Sequence, residues 1–572
     1  MRRTYATRHD VRGSAPDRVR ASQADANKPE QREGYRETVE AIVVAMILAL
    51  LVRGFEAEAF VIPTGSMAPT LMGRHKEITC PQCGYVYAVN ASDEVESSSV
   101  GDSNGSKVLA GTCVNCRFQA RLDKAPSFKG DRILVMKFPY DMPHLPGSSN
   151  PERWDVVVFR YPEKPEVSYI KRLVGLPGEV LKIYFGDIYS KPPGAKDFHL
   201  ERKPLRHQRA MQMMVYDDTH RPVALRGRPE WRRWTSRGDW NEATPGRFSG
   251  AGETAPDWAE LRYRHLVPDP EQWRAIVDGL PLPYPPRPTL ITDFSSYNTG
   301  LTDNPHGDPE GPWMQPNWVG DLTLSAELNV KAPGGAVRFE LIEGGVANRC
   351  DIDLATGVAT LSHGGKSLGE KPSGISGPGS YSVEFANVDD RLTLVVNGGT
   401  PFGDGLPYDV AEPHPAPTAA DLSPAAIAAR GAAIDVSDLV LKRDIYYTQH
   451  PGRSDYRQSW EMHSPRMPVE LSDPAQFAAL GELESREYPI APNRFLMLGD
   501  NSPRSADSRG WSTNDLWDPS NRASWEVPRA LITGKAFFVY WPHGKLFGPN
   551  FRIWGDLRFP FRPYLERMKW IR

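Results

Sequence analysis

Apolar and polar residues alternate along several short stretches of this chain, and this period of two constrains its fold more than any other feature. Successive side chains of a β-strand point to opposite faces, so each stretch predicts a strand with one buried face. The pair Asn397-Gly398, which follows the last stretch, is typical of a tight hairpin turn. The apolar positions are Leu322, Leu324, Ala326, Leu328, Val330, Val337, Phe339, Val383, Phe385, Leu392, Leu394 and Val396. The pattern predicts an antiparallel β-sandwich within residues 291–447.

Proline and glycine extend this prediction to the rest of the chain. The sequence has 53 prolines and 49 glycines among 572 residues, which favours turns and short strands over long helices. We therefore expect a mainly β protein of several domains. Positive and negative charges nearly balance, with 68 Lys and Arg against 71 Asp and Glu. This balance excludes a histone-like protein, and we expect no nucleic-acid partner.

The N-terminal region carries the one long uncharged run, from Ala41 to Val52. Residues 1–37 are charged and poor in large apolar side chains, so we predict a disordered cytoplasmic tail. We predict a transmembrane anchor at 38–60, although the uncharged run alone spans about 18 Å of a hydrocarbon core of about 30 Å. A buried core helix and a cleaved secretory signal are the alternatives. The arginines before the run predict a cytoplasmic N-terminus and an extracytoplasmic remainder, in a single-pass protein of the inner membrane.

Four of the five cysteines form two pairs with metal-knuckle spacing. Cys80 and Cys83 make the first pair, and Cys113 and Cys116 make the second, while Cys350 stands alone. Four thiolates at this spacing predict a structural zinc ribbon over 79–120. A pair of disulfides is the alternative, because an extracytoplasmic region meets an oxidising environment. A catalytic metal is not expected for this set, because four thiolates leave no open coordination position.

Further motifs follow the uncharged run in a fixed order. They are Val61 to Leu71 (VIPTGSMAPTL), Lys129 to Val135 (KGDRILV), Asp155 to Pro162 (DVVVFRYP), Ser168 to Glu179 (SYIKRLVGLPGE) and Met497 to Trp511 (MLGDNSPRSADSRGW). Together they resemble the type I signal peptidases, membrane-bound Ser/Lys endopeptidases with an all-β catalytic core. The resemblance covers about a third of the chain: residues 38–78, 126–190 and 485–560.

The resemblance implies a role for individual residues. Ser66 would be the nucleophile and Lys171 the general base, while the Thr64 side chain and the Ser66 backbone N–H would bind the oxyanion. Ser505 would orient the Lys171 amine, and Asp507 and Arg509 would form a supporting ion pair. Gly499 and Asp500 belong to the same supporting segment. The implied substrates are exported precursor proteins, cleaved after small residues at sites of the Ala-x-Ala type, and the lipid bilayer is a further partner.

The chemistry of these residue types is consistent with those roles. A serine hydroxyl needs a base to remove its proton, and a lysine with the ordinary pKa of about 10.4 is protonated at neutral pH. Burial disfavours the charged amine, and the apolar neighbours of Lys171 on its predicted strand favour that burial. No cofactor is expected for catalysis.

Two inserted pieces separate the motifs: the zinc-ribbon region (79–120) and a larger insertion that runs from about Lys191 to Arg486. The run from Tyr381 to Gly398 is similar to the concanavalin-type or laminin-G-like jelly rolls, for which sugar binding and a protein-contact or spacer role both stay open. Every candidate catalytic residue lies outside the larger insertion. We therefore expect that residues 200–480 can be replaced by a short linker without loss of peptide cleavage.

The predicted organisation assigns every part of the chain. It comprises a tail (1–37), an anchor (38–60), the nucleophile segment (61–78), a zinc ribbon (79–120), the lysine segment (121–190), an Arg/Trp/Pro-rich stretch (191–290), a jelly-roll sandwich (291–447), a linker (448–484) and the C-terminal core (485–572). The predicted function is that of a membrane-bound signal peptidase I. The alternatives are a surface-tethered ligand- or carbohydrate-binding protein on a peptidase-derived scaffold, and a cytoplasmic self-cleaving Ser/Lys regulator.

Overall fold

The computed structural model gives the main-chain path for most of the chain. It describes residues 30–51, 57–94, 106–137, 140, 150–250, 257–303, 316–410, 416–451, 455, 470–477, 485–511, 522–543, 545–546, 552–554, 557–558, 561–562 and 564–572. Two compact units, 1–56 and 57–572, divide these residues. The mainly β character predicted from the sequence is confirmed, since the described α-helices are limited to Glu30–Leu51, Leu205–Met211 and Pro270–Asp278.

The N-terminal unit contains the helix Glu30–Leu51. This helix begins inside the predicted tail, so the predicted disorder of residues 30–37 is wrong. Arg36 and Glu40 form an i,i+4 ion pair on it, at 2.8 Å between Nε and Oε1. No helix among the described residues has both the length and the apolar composition that crossing a bilayer requires. The predicted anchor also includes 52–56, which lie outside the described residues. Its predicted end at residue 60 is wrong, because residues 57–60 belong to the strand Ala57–Val61.

The second unit is built around a sheet that we call the site sheet. Its strands come from both ends of the unit, so the segments on either side of the large insertion meet in one layer. Every strand pair among the described residues is antiparallel, including those of this sheet. In sheet order the strands are Ala57–Val61, Arg132–Met136, Ile532–Trp541, Val156–Tyr161, Lys164–Gly175, Arg494–Leu498 and Val527–Pro528, with Lys569–Trp570 beside Ile532–Trp541.

A smaller sheet marks where the insertion leaves and returns. Its central strand, Val180–Tyr184, pairs on one side with Asp187–Lys191 and on the other with Arg486–Pro489. The strand His199–Leu200 completes it next to Asp187–Lys191. The two ends of the insertion therefore flank a single strand of the core.

The insertion contains two facing sheets that form a sandwich. The strands of one are Asn241–Thr244, Arg247–Ser249, Ile434–Arg443, Leu322–Val330, Gly379–Asn387, Arg391–Val396 and Leu406–Pro407, with Met213–Asp217 also on Ile434–Arg443. The strands of the other are Trp234–Arg237, Ala259–Tyr263, Ala425–Arg430, Ala336–Glu343, Val346–Asp353, Val358–His363 and Lys366–Pro372. One apolar core joins them, with Leu324, Phe339 and Phe385 fully buried, as their alternation predicts. The jelly-roll assignment itself stays a prediction.

The predicted start of the sandwich at residue 291 is too late. Strands between Met213 and Tyr263 pair with Ile434–Arg443 and Ala425–Arg430 and so belong to the sandwich. These strands are short, and much of their contribution to the core is aromatic, as with the buried Trp234 and Phe248. Short strands with large, irregularly spaced aromatic residues give little periodicity, which is why the pattern did not reveal them.

Two small sheets carry the cysteines. One contains Val86–Asn90, His75–Thr79 and Ser127–Phe128, and the other contains Leu301–Thr302, Val108–Thr112 and Gln119–Arg121. Leu301–Thr302 comes from the insertion, so the insertion and the cysteine region share a sheet. Near the C-terminus, Lys545–Leu546 pairs with Phe561–Arg562, and Arg552–Trp554 pairs with Leu557–Arg558.

Candidate active site

The loop that carries Ser66 is held in place by apolar anchors. It follows the strand Ala57–Val61 and forms a tight turn in which the Ala68 N–H donates to the Gly65 carbonyl at 3.0 Å. Met67 and Leu71, on the same turn, are fully buried in a cluster with Ile133 of the site sheet. Because these side chains fix the turn, Ser66 has a defined position.

Lys171 lies opposite Ser66, on the strand Lys164–Gly175 of the site sheet. Its Nζ donates to Ser66 Oγ at 2.7 Å and to the Ile170 carbonyl at 3.0 Å. Ser66 is 8% exposed and Lys171 is 4% exposed. The two predicted catalytic residues are therefore brought into direct contact, although 105 positions separate them in the chain.

Burial lowers the pKa of Lys171 from its ordinary value of 10.5 to about 8. The carboxylates of Asp507 and Asp500 act in the opposite direction and raise the pKa, while Arg509 lowers it. Desolvation outweighs the two carboxylates, each of which forms an ion pair with a buried arginine. A neutral amine is thus accessible near physiological pH, and a neutral amine can accept the proton of a serine hydroxyl.

The predicted ion pair between Asp507 and Arg509 is present. Arg509 Nη2 lies 2.7 Å from Asp507 Oδ2 and both side chains are fully buried. Asp507 Oδ2 also accepts from the Gly499 N–H at 3.0 Å. Arg509 Nη1 donates to the Thr448 carbonyl at 2.6 Å and to Ser502 Oγ at 2.7 Å. This network fixes the loop from Gly499 to Arg509 beneath Lys171.

The hydrogen bond that the sequence predicts between Ser505 and the Lys171 amine is not made in the described structure. Ser505 Oγ is buried and has no hydrogen-bond partner there. The Lys171 amine donates instead to Ser66 and to the Ile170 carbonyl. Ser505 lies against Gly499, where a methyl group would overlap both Ser505 Oγ and the Ser66 carbonyl oxygen. The glycine therefore allows the supporting loop to approach the nucleophile loop closely.

Thr64 is exposed at the entrance to the nucleophile loop. Its hydroxyl makes no hydrogen bond to any residue that the structure describes, so it remains available to a bound group. A hydroxyl two residues before the nucleophile is a possible donor to a developing oxyanion.

Arg172 is a residue that reasoning from sequence missed. Its guanidinium binds Asp500 in a bidentate pair, at 2.7 Å from Nε to Oδ1 and 2.6 Å from Nη2 to Oδ2, with both side chains fully buried. The Thr70 hydroxyl donates to the same carboxylate at 2.5 Å. Asp500 thus links the lysine strand to the nucleophile loop. The sequence did contain a signal for a separate role of Arg172. Successive residues of a strand point to opposite faces, so Arg172 and its neighbour Lys171 lie on different faces of the sheet.

A second missed contact involves two asparagines. The Asn501 backbone N–H donates to the Ser66 carbonyl at 3.1 Å, and its side-chain Nδ2 donates to the Gly65 carbonyl at 3.1 Å. The Asn501 side chain also exchanges two hydrogen bonds with Asn298, at 2.7 and 2.8 Å. Asn298 belongs to the insertion, and no local pattern marks it.

The four paired cysteines converge on one point. Cys80 Sγ lies 3.5 Å from Cys116 Sγ, and Cys83 Sγ lies 3.7 Å from Cys113 Sγ. All four thiols are free and buried, with their sulfur atoms within 4.8 Å of one another. Four thiolates at about 2.3 Å from a tetrahedral zinc ion are about 3.8 Å apart, so the spacing fits that ion. Each pair lies in the turn of a hairpin, after His75–Thr79 or after Val108–Thr112.

An acidic group also occurs in the insertion region. One carboxylate oxygen each from Asp187, Asp321 and Asp389 lie within 4.8 Å of one another. The buried Lys203 amine contacts Asp389 and lies 2.8 Å from Asp444 Oδ2. The lysine neutralises part of this charge, which gives the group a structural explanation.

A serine hydroxyl that accepts a hydrogen bond from a buried lysine is the arrangement that a serine hydrolase with a lysine base requires. Residues 123–219, which include Lys171, match the family model "Signal peptidase, peptidase S26". Signal peptidase I of Rickettsia massiliae is 30% identical over 167 residues, which cover 29% of this chain and 47% of the relative. Signal peptidase I of Pseudomonas fluorescens is 52% identical over 60 residues, or 9% of this chain and 21% of the relative. The chain thus spans about half or less of the curated relatives it matches. These findings support a serine peptidase related to signal peptidase I.

Solved structures match this chain only distantly. A carbohydrate binding module from Bacillus subtilis covers 37% of this chain and 96% of its own length, with 10% identity and a TM-score of 0.22. A Caenorhabditis elegans galectin covers 22% and 83%, with 16% identity and a TM-score of 0.16. At these scores the likeness carries no argument about the role of the insertion.

Proposed function

We propose that the chain is a signal peptidase I, a membrane-bound serine endopeptidase that removes signal peptides from exported precursor proteins. The observation that carries the proposal is the 2.7 Å contact between Lys171 Nζ and Ser66 Oγ in a buried site. The family match and the curated relatives support the same activity. The alternative of a ligand-binding protein on a peptidase-derived scaffold is not favoured, because this site retains both the nucleophile and a base of lowered pKa.

The first chemical step is acylation of Ser66. Neutral Lys171 takes the hydroxyl proton as Ser66 Oγ attacks the carbonyl carbon of the small residue that precedes the cleaved bond of the precursor. The Ser66 backbone N–H and the Thr64 hydroxyl stabilise the oxyanion of the tetrahedral intermediate. Lys171 then protonates the leaving amine, which releases the mature protein and leaves the signal peptide as an ester on Ser66.

The second step is hydrolysis of that ester. Lys171, neutral again, accepts a proton from water, and the resulting hydroxide equivalent attacks the acyl carbon. Collapse of the second tetrahedral intermediate returns the proton to Ser66 Oγ. The Asp507–Arg509 and Asp500–Arg172 pairs take no part in proton transfer, since they hold the loop and the strand that position the two reacting groups.

A membrane location and a structural zinc ion complete the proposal. The expected topology, with a cytoplasmic N-terminus and an extracytoplasmic catalytic unit, rests on the sequence alone. Carbonate extraction of cell membranes tests the membrane anchor, because an anchored chain stays in the pellet. Cys80, Cys83, Cys113 and Cys116 would hold the zinc ion, which would stabilise the two hairpins.

The decisive experiment uses the purified chain and a precursor with an Ala-x-Ala site. We expect cleavage after the second alanine, identified by mass spectrometry of both products. Ser66→Ala should abolish turnover, because the nucleophile and its base act as one unit. Ser437→Ala, which changes a half-buried serine on a strand of the sandwich, is the matched control and should retain full turnover. Comparable cleavage by the Ser66→Ala variant would show that another group performs the reaction.

A further inference from the structure

One short turn of the insertion reaches the catalytic region. The 3-10 turn Ser296–Asn298 is buried. The chain just before it is tied to the sandwich, because Arg443 Nη2 donates to the Asp293 carbonyl at 2.7 Å and to the Phe294 carbonyl at 3.1 Å. Arg443 ends the long sandwich strand Ile434–Arg443. The turn is therefore held by the rigid part of the insertion.

Tyr297 packs directly on the residue before the nucleophile. A methyl group at Gly65 would overlap the Tyr297 ring, so ring and backbone are in close contact. Tyr297 is 4% exposed. This contact limits the movement of the nucleophile loop on the side facing the insertion.

Asn298 completes a chain of hydrogen bonds to the nucleophile. Its amide forms a reciprocal pair with Asn501, and Asn501 in turn donates to the carbonyls of Gly65 and Ser66. Both asparagines are nearly fully buried. A buried amide that loses its partner leaves polar groups unsatisfied, so the orientation of Asn501 depends on Asn298.

The other end of the turn is fixed to the cysteine region. The Thr112 N–H donates to Thr299 Oγ1 at 2.8 Å, and the strand Leu301–Thr302 pairs with Val108–Thr112. The turn is thus supported on both sides by elements other than the nucleophile loop. Because the turn is held independently of the nucleophile loop, its contacts can restrict the position of that loop.

We propose that the insertion's turn, through Tyr297 and Asn298, positions the Gly65–Ser66 backbone for attack. The inference rests on the proposed function and goes beyond it, because it makes the insertion part of the catalytic framework. Asn298 is a positioning residue that acts through Asn501.

The test compares Asn298→Ala with a matched variant. Asn348→Ala removes a fully buried asparagine of the sandwich, 2.8 Å from His363 Nδ1. We expect Asn298→Ala to lower kcat on a small peptide by about 10- to 100-fold without changing KM, because small displacements of a reacting group have effects of this size. Asn348→Ala should leave kcat unchanged. In an Asn501→Ala background, adding Asn298→Ala should change kcat less than about twofold, since its route to Ser66 is already lost.

Hydrogen exchange provides a measurement that needs no activity. Amide exchange over residues 62–72 should be faster in Asn298→Ala than in the wild-type chain and in Asn348→Ala. In an active chain, an unchanged kcat or unchanged exchange in Asn298→Ala overturns the inference, as does an equal loss of kcat in Asn348→Ala. If the wild-type chain cleaves no peptide, the proposed function fails, and the exchange result alone decides whether the turn constrains the loop.

Discussion

In the proposed mechanism, the protonation state of the Lys171 amine sets the pH dependence of cleavage. Only neutral Lys171 can accept a proton, and its pKa is lowered to about 8 by burial. We expect kcat/KM to rise with pH through about 8 and then to level off. Lys171→Met should be inactive at every pH, and so should Lys171→Arg, because a guanidinium stays protonated. A pH profile of peptide cleavage checks this, and a profile that is flat between pH 6 and 9 would contradict it.

The same amine links stability to pH. The folded pKa of about 8 lies below the unfolded value of 10.5, so the unfolded chain binds more protons between those values. Stability from this group therefore rises with pH from about 8 to about 10.5, by about 3 kcal/mol at most. Urea unfolding of wild type and Lys171→Met across this range isolates the effect. The difference between the two should grow in favour of the wild type as pH rises, and a constant difference would argue against a buried amine.

Thr64 is the residue to change in order to test the oxyanion site. Thr64→Val keeps the side-chain shape and removes the hydroxyl. If that hydroxyl donates to the oxyanion, kcat should fall by about 10²–10³, equivalent to about 3–4 kcal/mol. Steady-state kinetics on the small peptide provides the measurement. An unaltered kcat would show that only backbone N–H groups donate to the oxyanion.

The residues of the site differ in how far sequence could predict them. Ser66, Lys171, Asp507 and Arg509 lie within short motifs, so a local pattern was enough to select them. Asn298 lies 203 positions from its partner, and an asparagine in a turn has an ordinary structural explanation. Contacts of this kind depend on tertiary packing, which leaves no periodic trace in the sequence.

Among the elements, the two cysteine hairpins offer the clearest test. We expect about one zinc ion per purified chain, and its loss in Cys80→Ser or Cys113→Ser, with lower thermal stability. Metal analysis and thermal unfolding check both parts, and Cys350→Ser, outside the cluster, should retain the metal. If mass spectrometry of the unreduced chain detects two disulfides, the four paired cysteines form disulfides and the zinc prediction is wrong.

The strands of the sandwich show where element prediction works. Long strands with strict alternation, such as Leu322–Val330, have the buried face that their pattern predicts. Short strands such as Trp234–Arg237 and Arg247–Ser249 give too few residues for a period to emerge. The helix Glu30–Leu51 begins in charged sequence, where there is no apolar face from which to predict it, and the i,i+4 ion pair between Arg36 and Glu40 supports it.

At the scale of the whole molecule, the contacts argue against the expectation that the insertion is dispensable. Replacing residues 200–480 by a Gly/Ser linker would remove Tyr297, Asn298 and Thr448, which contact Gly65, Asn501 and Arg509. We now expect the shortened chain to cleave a small peptide at least about 10-fold more slowly than the full chain. Circular dichroism establishes whether the shortened chain folds. A folded shortened chain with full turnover would restore the original expectation.

The strand Val180–Tyr184 has a consequence for how such a chain can arise. The strands at the two ends of the insertion lie on either side of it. A single insertion in the gene can therefore add a whole domain at one surface position without changing how the strands of the core are connected. If the turn Ser296–Asn298 of the added domain supports the nucleophile loop, deleting the domain impairs the core. The domain is then retained, and substitutions in the turn and in the nucleophile loop must be compatible with each other.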